Sequence, residues 1–137
     1  MTYMLVSERK AKDEIKISTP SDAYAALTRY HRKRKEHFLV LTLNGAHEIQ
    51  SIRIVSMGIV NRSIVHPREI FFEAIKDLSA AIIVAHNHPS GNFEPSPEDQ
   101  DVTKRLTQAG DILGIPVLDH IVFSSRGYYS YLEHDAM

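Results

Sequence analysis

The sequence predicts an α/β domain in which helices pack on a mixed β-sheet, and three observations support this fold class. The apolar run AAIIVA at residues 80–85 is typical of a buried strand. Two segments with helical periodicity, residues 67–78 and Pro97–Leu113, flank that strand in the chain. Asn44-Gly45 separates two further strand-like segments and indicates a hairpin, so part of the sheet should be antiparallel.

Composition limits the chemistry that is available. With 137 residues, 43% of them hydrophobic, residues 1–137 should form a single domain with a substantial core. A net charge of −1 gives no overall field that favours nucleic acid. The absence of cysteine excludes disulfides, thiolate nucleophiles, cysteine-ligated zinc and the nucleobase deaminases, which need a P-C-x-x-C pair. We expect a cytoplasmic protein without membrane contact, because there is neither a spanning apolar run nor a signal peptide.

The first half of the chain predicts a short helix and a strand pair. Residues 1–18 mix apolar pairs with charges and suit a loose arm or an edge strand. A helix-start signal, Thr19-Pro20-Ser21-Asp22, predicts a helix over residues 23–30. The basic run HRKRK that follows suits a solvated loop better than a nucleic-acid site, because no aromatic interleaving accompanies it. Residues 36–43 should be a buried strand, and residues 47–57 its return strand.

The second half predicts two long helices and the rest of the sheet. After a connector at residues 61–63, the helix over residues 67–78 should bury Ile70, Phe71, Ala74, Ile75 and Leu78. The helix Pro97–Leu113 should end at Gly114 and bury Val102, Leu106, Ala109, Ile112 and Leu113. Residues 117–123 form the next predicted strand, followed by a turn at residues 124–127 and a closing strand at residues 128–132.

The stretch AHNHPSGNFEPSPED, residues 85–99, holds the candidate functional residues. Alternate residues of a strand face the same side, so His86 and His88 should project together and could reach one metal ion. Ser96 has the features of a helix N-cap, and Asp99 lies three residues further on. If the loop folds back over the strand end, Asp99 becomes a third ligand. Three protein ligands and a water are typical of a catalytic zinc site.

Each part of this pattern also has a simpler explanation. Isolated H-x-H pairs are common and mostly bind nothing, and S-x-x-D is a capping signal found in many helices. The combination of the two motifs is what favours a metal site. Asp101 is the competing acidic ligand, but two further residues rotate it by roughly 200° around the helix. We therefore expect Asp99, and not Asp101, to face the histidines.

The pattern His86-x-His88-Pro89, six residues, Ser96, two residues, Asp99 resembles the signature of the JAMM (MPN-type) metallohydrolases. The fuller strings HNHPSG and PSPED resemble the bacterial RadC family, as do VHPREIF and LGIPVLDHIV in the same order. The resemblance covers about residues 36–131. It implies a three-layer α/β/α JAMM/MPN domain, related to the cytidine-deaminase-like fold, with Zn²⁺ held by His86, His88 and Asp99.

A water activated by zinc also needs a carboxylate that accepts its proton. The residues alone leave six glutamates open: Glu36, Glu48, Glu69, Glu73, Glu94 and Glu98. The resemblance implies that Glu36 is the base, although it could simply begin a strand and pair with a lysine. The resemblance also implies that Ser96 stabilises an oxyanion in addition to capping the helix. His120, beside Asp119 in an apolar strand, should be a core residue or a hydrogen-bond partner around the site.

The resemblance implies hydrolysis of a peptide or isopeptide amide in a protein or peptide substrate. A link to DNA repair comes only with the family name, and the helix-hairpin-helix region that precedes this domain in full-length RadC proteins is absent from this sequence. A non-catalytic metal-binding or scaffold module is the first alternative, and the presence of every ligand type argues against it. A DNA-processing protein is the second, although nucleases usually gather several carboxylates around two metals. Exposed strand edges could pair in a homo-oligomer.

Overall fold

The computed structural model describes residues 15–58 and 65–137. Within these ranges five strands form one mixed sheet in the order β2-β1-β3-β4-β5. The strands are β1 His37–Leu43, β2 Ile49–Met57, β3 Ala81–Asn87, β4 Val117–Ser124 and β5 Gly127–Ser130. β3 runs parallel to β4, and the other neighbouring pairs are antiparallel. The predicted mixed α/β sheet is confirmed.

Helices cover both faces of this sheet, which gives the three layers. Alternate residues of β1 point to opposite sides, so Phe38 and Val40 join one hydrophobic cluster and Leu39 and Leu41 join another. The first cluster is closed by α2, Pro67–Lys76, and α3, Pro97–Leu113. The second is closed by α1, Pro20–Ala26, and the 3₁₀ turn Thr28–Tyr30 that follows it.

The helix boundaries follow local capping chemistry. Thr19 caps α1 in a reciprocal capping box with Asp22, so the α-helix begins at Pro20 and the predicted range of residues 23–30 is split by a change to 3₁₀ geometry. α3 has the predicted bounds. It ends where Gly114 adopts the left-handed conformation, at φ 73°, which a residue without a Cβ adopts easily.

The buried stripes of the two long helices are narrower than the sequence predicts. Ile75 and Ile112 were expected in the core but are 52% and 85% exposed. At 100° per residue they lie roughly 90° and 140° from the centre of the buried stripe of their helices. Leu78 lies beyond the end of α2 at a positive φ of 54° and is exposed. Leu113, in the last turn of α3, is exposed as well.

Two strand boundaries also differ from prediction. β2 begins at Ile49 because the Asn44 side chain accepts the N–H groups of Ala46 and Glu48 and closes a wider turn. β5 ends at Ser130, and the following residues form turns around the buried ring of Tyr131. The connector at residues 61–63 and most of the predicted arm lie outside the described residues.

Of the predicted arm, Lys16 pairs with Glu48 in a single bridge. The cations at residues 32–35 are exposed, in a loop that leads into β1. Among the residues that the structure describes, no helix is both long enough and apolar enough to cross a membrane.

Candidate metal centre

The two histidines of the motif lie at the carboxyl end of β3. His86 is within the strand and is 1% exposed. His88 is the first residue after the strand, which ends at Asn87. The backbone N–H of His88 donates to Phe123 at 2.8 Å, which holds the chain against β4 beyond the last strand residue. The two Nε2 atoms lie 3.0 Å apart, so both imidazoles face one point, as the period of the strand predicts.

Asp99 reaches this point from the first turn of α3. Its Oδ1 is 3.1 Å from His86 Nε2 and its Oδ2 is 3.6 Å from His88 Nε2. The same carboxylate accepts the backbone N–H of Ser96 at 2.8 Å, so capping and contact with the histidines coexist. Asp101 points to solvent, as expected.

Glu36 lies directly before β1, the strand that neighbours β3 in the sheet. In the antiparallel register of β1 and β3, Phe38 pairs with His86, which brings Glu36 level with His88. One ligand atom each of Glu36, His86 and His88 lie within 4.8 Å of one another. The glutamate that the resemblance implies therefore adjoins the histidines, and this His/Glu/His cluster could bind a metal.

Ser96 lies at the edge of the cluster as the N-cap of α3. Its side chain accepts the backbone N–H of Asp99 at 3.2 Å. The hydroxyl therefore has a structural partner already, and an additional role in stabilising an oxyanion stays a prediction.

The contacts behind the histidines indicate which nitrogens carry lone pairs. His88 Nδ1 lies 2.9 Å from the carbonyl oxygen of Asn92, which can only accept, so Nδ1 carries a proton, and in the neutral ring Nε2 then has the lone pair. His86 Nδ1 lies 2.9 Å from His120 Nε2, which leaves His86 Nε2 toward the cluster. Two imidazole nitrogens and a carboxylate at this separation repel one another unless a cation is shared among them. The donor set therefore fits a divalent metal ion that prefers nitrogen and oxygen ligands.

His120 is fully buried and contacts His86, which agrees with the expectation of a hydrogen-bond partner around the site. Two further residues of the site were not foreseen. Asn87 holds the chain that carries Glu36, and its position between the histidines was the available signal. Thr103 contacts His120 and gave no signal, because a threonine within a helix is ordinary.

The fold and the clustered histidines and carboxylates define a JAB-type α/β domain, compatible with a metallohydrolase-type module. The model of the family described as "RadC-like JAB domain" matches residues 17–136, so the chain belongs to the RadC-like JAB domain family, as its motifs predicted.

Several curated proteins are similar to this chain over most of its length. A UPF0758 protein of Methanospirillum hungatei JF-1 is 51% identical over 115 residues, which cover 82% of this chain and 51% of that protein. A UPF0758 protein of Alkaliphilus metalliredigens is 49% identical over 123 residues, covering 89% of this chain and 53% of that protein. The chain spans about half the length of the curated relatives it matches.

Proposed function

We propose that this domain is a zinc-dependent hydrolase of the JAMM type that cleaves a peptide or isopeptide amide with a metal-activated water. The observation that carries the proposal is the convergence of His86 Nε2, His88 Nε2 and the Asp99 carboxylate within 3.0 to 3.6 Å. Two imidazoles and one carboxylate are a ligand set of known catalytic zinc sites. Zinc in such a site lowers the pKa of a water toward ~7 and polarises a substrate carbonyl.

The chain's own residues then divide the work. His86, His88 and Asp99 would hold the ion. Glu36, half-buried beside them, would accept a proton from the attacking water and pass it to the departing amine. The partial exposure of Glu36 and His88 leaves one side of the cluster open for a peptide substrate.

Metal content tests the ligand set. Elemental analysis of untagged protein should give about one zinc per chain in the wild type and almost none in His88→Ala. Asp101→Asn removes an exposed acid two residues from Asp99 and is the matched control, which should keep its zinc. Glu36→Gln should keep it too if Glu36 is the base. A wild-type protein without zinc, even after zinc is added, would overturn the proposal.

Turnover tests the reaction. Zinc-loaded protein should hydrolyse amide bonds in a panel of peptides and isopeptide-linked peptides, and Glu36→Gln with a full complement of zinc should not. Zinc-loaded wild-type protein that is inactive on every member would favour a non-catalytic metal-binding module instead. A parallel incubation with plasmid DNA tests the DNA-processing alternative. Cleavage of DNA is expected of a DNA-processing protein, but neither of an amide hydrolase nor of a non-catalytic module.

A further inference from the structure

We propose that Thr103 and His120 are positioning residues that fix the tautomer of His86, so that His86 Nε2 presents its lone pair to the metal centre. The inference concerns the same site as the proposed function and rests on it for its purpose. The order of hydrogen bonds, however, is a property of the protein with or without metal.

The order begins at the backbone carbonyl of Asp99. Thr103, one turn further along α3, has its Oγ1 2.7 Å from that oxygen. A carbonyl only accepts, so the single hydroxyl proton of Thr103 points to Asp99. Thr103 Oγ1 also contacts His120 Nδ1, and it can only accept there because its proton is already used. His120 must therefore carry a proton on Nδ1.

A neutral His120 with its proton on Nδ1 has a lone pair on Nε2. That nitrogen lies 2.9 Å from His86 Nδ1, so His86 donates to it and keeps Nε2 for the cluster. The opposite order would put a proton on His120 Nε2. His86 Nδ1 would then accept, and its own proton would move to Nε2, where it would block a metal ion.

The rings have little freedom to escape this arrangement. Thr103 and His120 are at most 1% exposed, so water cannot readily replace either partner. The ring of Tyr131 stacks on His120 at a centroid distance of 4.9 Å, and Phe38 stacks on His86 at 5.7 Å. The connection therefore starts at the main chain of one proposed ligand, Asp99, and ends at the imidazole of another, His86.

The test combines the tautomer of His120 with metal affinity. Long-range ¹H–¹⁵N correlation spectra, recorded at about pH 8 where a free imidazole is neutral, should show His120 with its proton on Nδ1 in metal-free wild-type protein. Thr103→Val keeps the shape but removes the hydroxyl, so His120 should shift toward the Nε2–H form. Zinc affinity, measured by competition with a chromophoric chelator, should fall about 10- to 100-fold.

Two variants separate positioning from general damage. Thr103→Ser restores a hydroxyl and should recover the wild-type tautomer and affinity. Thr107→Val is the matched control, because Thr107 lies one turn further along the same helix and donates to the carbonyl of Thr103 at 2.8 Å. It should leave both readouts unchanged.

The result that overturns the inference is a wild-type His120 with its proton on Nε2, which needs no variant to fold. An unchanged tautomer and affinity in folded Thr103→Val would overturn it as well. If the wild type shows the expected tautomer but binds no zinc, the proposed function fails while the hydrogen-bond order stands.

Discussion

Asn87 Oδ1 accepts the backbone N–H of His37 at 2.6 Å, across the β1–β3 pair. The Nδ2 of the same side chain donates to the carbonyl of Lys35 at 3.0 Å. One buried carboxamide therefore holds the peptide groups on both sides of Glu36. Alternate strand residues face opposite sides, so His86 and His88 project toward the cluster while Asn87 projects away from it. From there the Asn87 side chain holds the backbone on either side of Glu36.

Replacing Asn87 with aspartate keeps its size but removes both N–H donors and turns an oxygen toward the carbonyl of Lys35. We expect the free energy of unfolding to fall by about 2 kcal/mol, because the buried side chain of residue 87 loses its donors and a carboxylate then faces a carbonyl oxygen. Zinc content should stay at the wild-type level, since the ligands are untouched. Urea denaturation and elemental analysis measure the two quantities. Asn92→Asp is the control, because the side-chain oxygen at this exposed position only accepts an N–H. Equal stability of both variants would contradict the role given to Asn87.

Zinc should stabilise the folded protein by mass action. At a free zinc concentration of about 100 times Kd, the expected gain is about 2.7 kcal/mol, because the ligands converge only in the fold. Thermal melts with zinc and with a chelator measure this as a rise in Tm. His86→Ala should lose the zinc-dependent rise in Tm. His66→Ala is the control and should keep it, because His66 is a half-buried residue at the N-cap of α2. The same rise in His86→Ala would place the bound zinc elsewhere.

Ser96→Ala separates capping from catalysis. Loss of the cap should cost about 1 kcal/mol of stability. If Ser96 also stabilises an oxyanion, kcat/KM of the zinc-loaded protein should fall at least ~10-fold beyond that. Thr19→Ala removes the equivalent residue of the other capping box, at α1, and should cost similar stability without loss of activity. Identical activities of the two variants at equal zinc content would assign Ser96 to capping alone.

Gly110→Ala should destabilise the protein although alanine is the better helix former. A Cβ at Gly110 would lie 2.6 Å from the backbone oxygen of Ile115, and backbone cannot move aside easily. We expect a loss of about 2 kcal/mol, since overpacking outweighs the propensity gain of about 1 kcal/mol. Gly45→Ala, where a Cβ meets nothing within 4 Å, is the control. If urea denaturation gives Gly110→Ala and Gly45→Ala the same free energy of unfolding, α3 can shift outward without cost.

Asp77 should contribute to acid sensitivity. Burial raises the pKa of Asp77, but hydrogen bonds from Arg53, Ser51 and Thr42 outweigh it and leave the pKa below its ordinary value. A lowered folded-state pKa means that the stabilisation is present above the unfolded value of ~3.9 and is lost as the pH falls through the folded value.

Asp77→Asn should therefore cost about 1 kcal/mol near neutral pH and show a shallower loss of stability on acidification than the wild type. Urea denaturation between about pH 6 and pH 3 measures this. Asp111→Asn, at an exposed position of α3, is the control and should follow the wild-type curve. Parallel curves for Asp77→Asn and the wild type would show that the network with Arg53 does not depend on the charge.

Local chemistry in the sequence determined several elements by itself. The period of a strand predicts that His86 and His88 lie on one face, because alternate residues of extended backbone face the same side. Ser96 and Gly114 mark the ends of α3 because capping and the left-handed stop act within a few residues. The motif that spans these elements was also sufficient to predict the family.

The tertiary structure decided what depends on register and on packing between distant segments. Six glutamates were equivalent in chemistry, and only the pairing of Phe38 with His86 brings Glu36 to the histidines. Thr103 and Asn87 acquire their contacts from partners 17 and 50 residues away. The exposed faces at Ile75 and Ile112 depend on how each helix lies on the sheet. Periodicity defines an apolar face, but which part of that face is buried is set by the neighbour that it meets.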